Sequence, residues 1–147
     1  MDNDPLNILL VDDDEADRLL FKEAFEELTV KTIVHLVKNG FQLMEYLNQS
    51  ALLPNLVFLD LNMPGKNGLE CLMEIKRTKR FKNIAIAIYS TSASEKDIEE
   101  TFNNGANVYI TKPNDFNTLK KVLDKAVTVA LQYQESSSNR DFFLLRI

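Results

Sequence analysis

A chain of 147 residues, 45% hydrophobic and 27% charged, has the size and composition of one ordinary globular domain that can bury a core without staples. With 17 Lys+Arg against 22 Asp+Glu the net charge is -5, and the absence of a basic stripe argues against a nucleic-acid-binding surface. The acidic start Met1-Asp2-Asn3-Asp4-Pro5 lacks a signal-peptide pattern, no apolar run approaches the roughly 20 residues of a membrane span, and the single Cys71 cannot form an internal disulfide, so a cytoplasmic protein with no membrane or nucleic-acid partner is expected.

Asn7 to Val11 is an apolar run of strand length that stops on Asp12-Asp13-Asp14-Glu15. Leu20, Phe21, Ala24, Phe25 and Leu28 then repeat at helical spacing. Thr32 to Val37 predicts a second strand, and Asn39 caps a helix carrying Phe41, Met44 and Leu47. The third strand, from Leu56, ends abruptly on Asp60, and a Met63-Pro64-Gly65 loop leads into a helix from about Gly68 to Thr78. Ile84 to Tyr89 alternates large and small apolar side chains, as suits a central strand covered on both faces, and it ends on Ser90-Thr91-Ser92. A helix from about Ser94 to Asn104 packs through Ile98 and Phe102 and ends at Asn104-Gly105. Val108 to Thr111 is the last strand, halted by Lys112-Pro113, and from Asn114 a helix of about five turns runs through Leu119, Leu123, Ala126 and Ala130. Five strands alternating with five helices predict an α/β fold with a doubly wound parallel sheet.

Parallel strands end on one edge, so Asp12 and Asp13, Asp60, Ser90 and Lys112 converge in one cleft. Three carboxylates in a partly buried site repel by several kcal/mol unless one takes a proton or a cation neutralises them. Oxygen donors without His or Cys select magnesium, manganese or calcium. A divalent cation, an ammonium and a hydroxyl around one carboxylate make a clamp for phosphoryl oxygens, with Asp60 as the nucleophile that becomes an aspartyl phosphate.

These residues, over about Asn7 to Ala130, resemble the receiver domain of two-component response regulators: Asp12-Asp13, Asp60 with Met63-Pro64-Gly65 and Gly68, Ser90, and Lys112-Pro113. The resemblance implies the flavodoxin-like strand order 2-1-3-4-5, an order the fold class shares. It implies that Asp13, Asp60 and the Asn62 backbone carbonyl ligate Mg2+ (or Mn2+), with Asp12 acting mostly through water. It implies that Lys112 holds the phosphoryl group, across a bond to Pro113 that is often cis in such domains. It implies a switch in which the Ser90 hydroxyl moves to the phosphoryl oxygen and Tyr109, which alternates with Val108 and Ile110, turns inward. Asn62 and Ser92 occupy positions that influence attack by water on the phosphoaspartate, and Ser90 replaces the more frequent threonine.

The function expected is a phosphorylation-dependent signalling switch that accepts a phosphoryl group from a sensor histidine kinase onto Asp60. Residues 1–133 are expected to form the receiver domain, with no output domain after the fifth helix. A downstream protein would bind through helix 4, strand 5 and helix 5. A relay that passes the phosphoryl group to a histidine phosphotransfer protein is the alternative. The protein would not be an enzyme beyond catalysing its own phosphorylation and dephosphorylation. An aspartate-nucleophile phosphatase is the enzymatic alternative, but such proteins place Asp-x-Asp after the first strand, which Asp12-Asp13-Asp14-Glu15-Ala16 fits poorly. A flavin protein of similar topology would need a Ser/Thr/Gly-rich phosphate loop there. Asp12 to Glu15 also lacks the glycine and terminal glutamate spacing of an EF-hand. His35 reads as structural and Cys71 as a buried inert thiol. Residues 134–147 read as a linker, Gln134 to Arg140, followed by the apolar tail around Phe142, Phe143 and Leu145, which either docks on the domain or across a homodimer or forms a disordered end.

Overall fold

The computed structural model describes residues 4–132 together with 143–144. The strands are β1 (Leu6–Val11), β2 (Thr32–Val37), β3 (Leu56–Leu59), β4 (Ala85–Ser90) and β5 (Val108–Thr111); the helices are α1 (Glu15–Glu26), α2 (Gly40–Gln49), α3 (Gly68–Arg77), α4 (Glu95–Asn103) and α5 (Phe116–Gln132). All strand pairs are parallel, in the order β2-β1-β3-β4-β5. The flavodoxin-like order drawn from the resemblance is therefore the order observed.

Because side chains alternate across a strand, the sheet divides two cores. Leu9, Val11, Val57, Leu59, Ile86, Ile88 and Tyr109 face α2, α3 and α4, which contribute Leu43, Leu47, Cys71, Leu72, Ile75 and Ile98. Ile8, Leu10, Leu56, Phe58, Ala85, Ala87, Val108 and Ile110 face α1 and α5, with Phe21, Phe25, Leu123 and Ala126. The large and small alternation in β4 now has a cause. Its isoleucines fill the α3 and α4 side, while its alanines leave room on the side where Phe21 packs edge-on against Phe58 at 4.9 Å and Tyr89 at 5.7 Å. All six β4 residues are buried, as a central strand requires.

Helix starts follow capping chemistry. Asp14, Asn39, Asn67 and Ser94 each accept a hydrogen bond from the backbone N–H three residues on, and Asn67 with Glu70 closes a reciprocal capping box. Gly105 follows α4 at φ 94°, the left-handed conformation expected after Asn104. Boundaries differ from the sequence expectation by a residue or so: β4 begins at Ala85 and takes in Ser90, and Ser94 caps α4 from outside it. His35 lies in β2, exposed, its ring 5.5 Å from that of Tyr46. Cys71 is buried in α3, and burial pushes its thiol up to about 11. Among the described residues no helix is long and apolar enough to cross a membrane.

Of the predicted apolar tail, Phe143 is buried against the domain. Phe142, Leu145 and the linker Gln134 to Arg140 lie outside the described residues.

Candidate functional site

The site is assembled by backbone continuity past the strand ends. Asp12 and Asp60 extend the ladder, Asp12 N–H donating to Val37 O at 3.2 Å and Asp60 N–H to Val11 O at 3.1 Å; Lys112 N–H donates to Ser90 O at 2.8 Å. Asp12, Asp60 and Lys112 therefore each leave from a residue whose own backbone is pinned to a neighbouring strand. Asp12, Asp60 and Ser90 are buried, Asp13 is exposed, and oxygens of Asp12, Asp13 and Asp60 come within 4.8 Å of one another.

Lys112 reaches into this cluster. Its Nζ donates to Asp12 Oδ2 at 2.8 Å, to Asp17 Oδ2 at 2.9 Å and, more loosely, to Asp60 Oδ2 at 3.5 Å. It also lies 5.3 Å above the Tyr89 ring. Burial would lower the Lys112 ammonium, but the hydrogen bonds to Asp12 and Asp17 and the charge of Asp60 hold it above the usual lysine range. Asp60 is pushed the other way from an ordinary carboxylate, up to about 6, first by burial and then by Asp12 and Asp13. Lys112 and the Asn62 N–H, 3.2 Å from Oδ1, oppose the rise. One ammonium does not compensate so many carboxylates.

That residual repulsion is the test of whether a divalent cation fits. The donors are all oxygen, they converge on one point, and their charge is uncompensated, so a hard cation such as magnesium or manganese suits the cluster. Asn62 is exposed beside Asp60, on the loop that must supply the expected carbonyl. That loop turns at Gly65, whose φ of 77° favours glycine. Gly68 brings α3 hard against β3: a Cβ there would lie 2.7 Å from Leu61 Cα and closer still to the Asp60 carbonyl oxygen.

On the far side of the cleft, Ser90 Oγ accepts from Ser92 N–H at 3.1 Å. Tyr109 faces opposite to Val108 and Ile110, as its alternation required, and is fully buried; its hydroxyl donates to Ser92 O at 2.8 Å. Ser92 Oγ points to α4, donating to Asp97 Oδ2 at 2.6 Å, so that side chain serves the helix start and not Asp60. The Lys112–Pro113 bond is trans, not the cis form often seen in such domains; trans is the form X–Pro bonds favour by about 0.5–1 kcal/mol.

Asp17 was not foreseen. It occupies the third position of α1 after the Asp14 cap, where an acid ordinarily reaches back to its own helix, and its carboxylate turns to Lys112 instead. Its place in the first turn of α1, a helix that leaves the reactive edge, puts it near the cleft, but its sequence position alone does not show the turn toward Lys112.

A buried Asp60 carboxylate, two further acids and a lysine thus gather at the carboxyl edge of a 2-1-3-4-5 sheet, the acid-pocket form of the doubly wound fold. The sequence model of the response regulator receiver domain matches residues 8–124, and the chain belongs to that family, the receivers of two-component systems. It is 34% identical over 126 residues to the probable methanogenesis regulatory protein FilR2 of Methanothrix harundinacea, covering 83% of this chain and 81% of that one. It is likewise 34% identical over 126 residues to the response regulator Rcp1 of Synechocystis, covering 82% of this chain and 86% of that one. Among solved structures, the phosphorylated cyanobacterial phytochrome response regulator RcpA superposes with a TM-score of 0.80 at 36% identity over 87% of this chain and 95% of its own. The Mn(2+)-bound form of Rcp1 superposes with a TM-score of 0.77 at 31% identity, over 90% of this chain and 97% of its own.

Proposed function

We propose that Asp60 is the phosphoryl acceptor of a signalling switch served by a sensor histidine kinase. The observation that carries this reading is the convergence of Asp12, Asp13 and Lys112 on the buried Asp60 carboxylate. In the transfer, an Asp60 carboxylate oxygen forms a bond to phosphorus as the phosphorus–nitrogen bond of a phosphohistidine breaks. The electron pair of that bond goes to the imidazole, which is left neutral or takes a proton from water.

Asp12, Asp13, Asp60 and the Asn62 carbonyl are the groups that would hold Mg2+ or Mn2+, which when bound neutralises charge on the phosphoryl oxygens. Lys112 is held by Asp12 and Asp17 with its third donor toward Asp60 at 3.5 Å, the direction from which a phosphoryl oxygen arrives. Ser90 offers a hydroxyl whose present partner, the Ser92 N–H, it gives up on turning to the phosphoryl group. Tyr109 is bonded to the same turn, so movement at Ser90 reaches the α4 and β5 surface through one hydrogen bond. A downstream protein, or a histidine phosphotransfer protein if the chain acts as a relay, would read that change on α4, β5 and α5. Two similar regulators, one phosphorylated and one Mn(2+)-bound, support both halves of the chemistry.

The test is labelling by acetyl phosphate with and without magnesium. Wild type should label only with the cation. Asp13→Asn should need a much higher cation concentration, and Lys112→Ala should bind the cation and lose transfer. Labelling that is indifferent to cation, or undiminished in Lys112→Ala, contradicts the assignment.

A further inference from the structure

α2 begins beside the loop of residues 62–67, which leads from β3 to α3. Hydrogen bonds fix that loop at its two ends. Asn62 N–H donates to Asp60 Oδ1 at 3.2 Å and Met63 N–H to Leu61 O at 3.2 Å, while Asn67 N–H donates to Glu70 Oε1 at 2.9 Å and Gly68 N–H to Leu61 O at 3.0 Å. The middle of the loop is met by two consecutive residues of α2. A Cβ on Gly40 would stand 2.6 Å from Lys66 O and 2.7 Å from Cys71 Sγ, so the helix start approaches the loop as closely as a glycine allows. A Cβ on Gly65 would stand 3.1 Å from Phe41 Cε2, so the ring of the next α2 residue lies against the turn itself.

Phe41 is not a core residue. Helical spacing groups it with Met44 and Leu47, which are buried, whereas Phe41 is 65% exposed. What its exposed ring does meet is the Gly65 turn, three residues after Asn62 on the loop that bears the carbonyl proposed above for the cation. Binding a cation through a loop carbonyl costs the ordering of that loop, and a loop already held in place loses less freedom on binding.

We infer that Phe41 is a positioning residue for the divalent-cation site: its ring braces the Gly65 turn, restricts residues 62–67 to the conformation that presents the Asn62 carbonyl, and so raises cation affinity. Phe41 carries no ligand atom, so it acts only through the loop. Gly40 lets the helix come close enough for the ring to reach. The inference rests on the cation site proposed above and adds a residue of α2 that lies outside the acidic cluster.

The full chain and its F41A and F41Y variants are titrated with Mn2+, the free ion being followed by its electron paramagnetic resonance signal, and urea unfolding is measured in parallel without the cation. F41A should bind about tenfold more weakly, the lower end of the roughly 10–100-fold loss seen when groups that orient metal ligands are removed. Its urea midpoint should stay near that of wild type, because most of the ring is already exposed. F41Y, which keeps the ring, should bind as wild type does. So should L52A, which truncates another exposed apolar residue. Equal affinity of F41A and wild type overturns this inference alone, and would fit a ring exposed for a protein partner instead. A loss in F41A matched by an equivalent fall in unfolding free energy, or shared by F41Y or L52A, also overturns it. No Mn2+ binding by wild type overturns the cation site itself, and this inference with it.

Discussion

Replacing Gly68 with alanine probes how the helix start fixes Asp60, the proposed acceptor. The added Cβ would stand 2.7 Å from Leu61 Cα and 2.9 Å from the Asp60 carbonyl carbon, about 1 Å inside the 3.5–4.0 Å optimum for carbon pairs. Both obstacles are backbone, so no rotamer change relieves them. Alanine favours a helix over glycine by about 1 kcal/mol, whereas overpacking of this kind costs about 1–3 kcal/mol. The clash should win, lowering stability by up to about 2 kcal/mol and Tm by up to about 8 °C for a domain of this size. Relief requires α3 to move from β3 or Asp60 to move with its carbonyl. A displacement near 1 Å at a reacting group lowers rate by about a hundredfold. Urea unfolding and the rate of labelling by acetyl phosphate should therefore fall together. A Gly68→Ala chain as stable as wild type and labelled at the same rate would refute the claim that this contact positions Asp60.

Asp17→Asn should leave Lys112 with a weaker rival for its charge and make the pocket less repulsive to an anionic donor. Labelling at low acetyl phosphate should quicken through a lower KM, with an unchanged or slower rate as the contrary result. Asn67→Ala should lose the α3 capping box and about 1 kcal/mol in urea unfolding; no loss would show that Glu70 and the helix packing suffice. Cys71, buried with its thiol pushed up to about 11, carries roughly one thiolate in a thousand at pH 8, so alkylation should be orders of magnitude slower in the native chain than in urea. Equal rates would mean that α3 opens readily.

Much of the architecture could be read from residue order because local signals agreed. Val108 to Thr111 is bounded by Lys112-Pro113, Asn39 sits where a cap belongs, and the isoleucine and alanine alternation of β4 matches two differently filled cores. The convergence of Asp12, Asp13, Asp60 and Lys112 followed from topology, since parallel strands deliver their ends to one edge. What stayed hidden depended on side-chain direction. Asp17 has the spacing of a helix-start acid, and nothing local says that its carboxylate leaves the helix for Lys112. Ser92 stands in sequence where it could face Asp60, yet Asp97 captures it. The apolar residues near Phe143 are too few to show a period, so they announced a need for burial without naming the surface.

The account stands on Asp60, and peptide mapping by mass spectrometry after incubation with acetyl phosphate and magnesium tests it most directly. One phosphoryl group on the peptide containing Asp60, absent from Asp60→Asn, is the result predicted. A phosphoryl group on another residue, or undiminished labelling of Asp60→Asn, would contradict it.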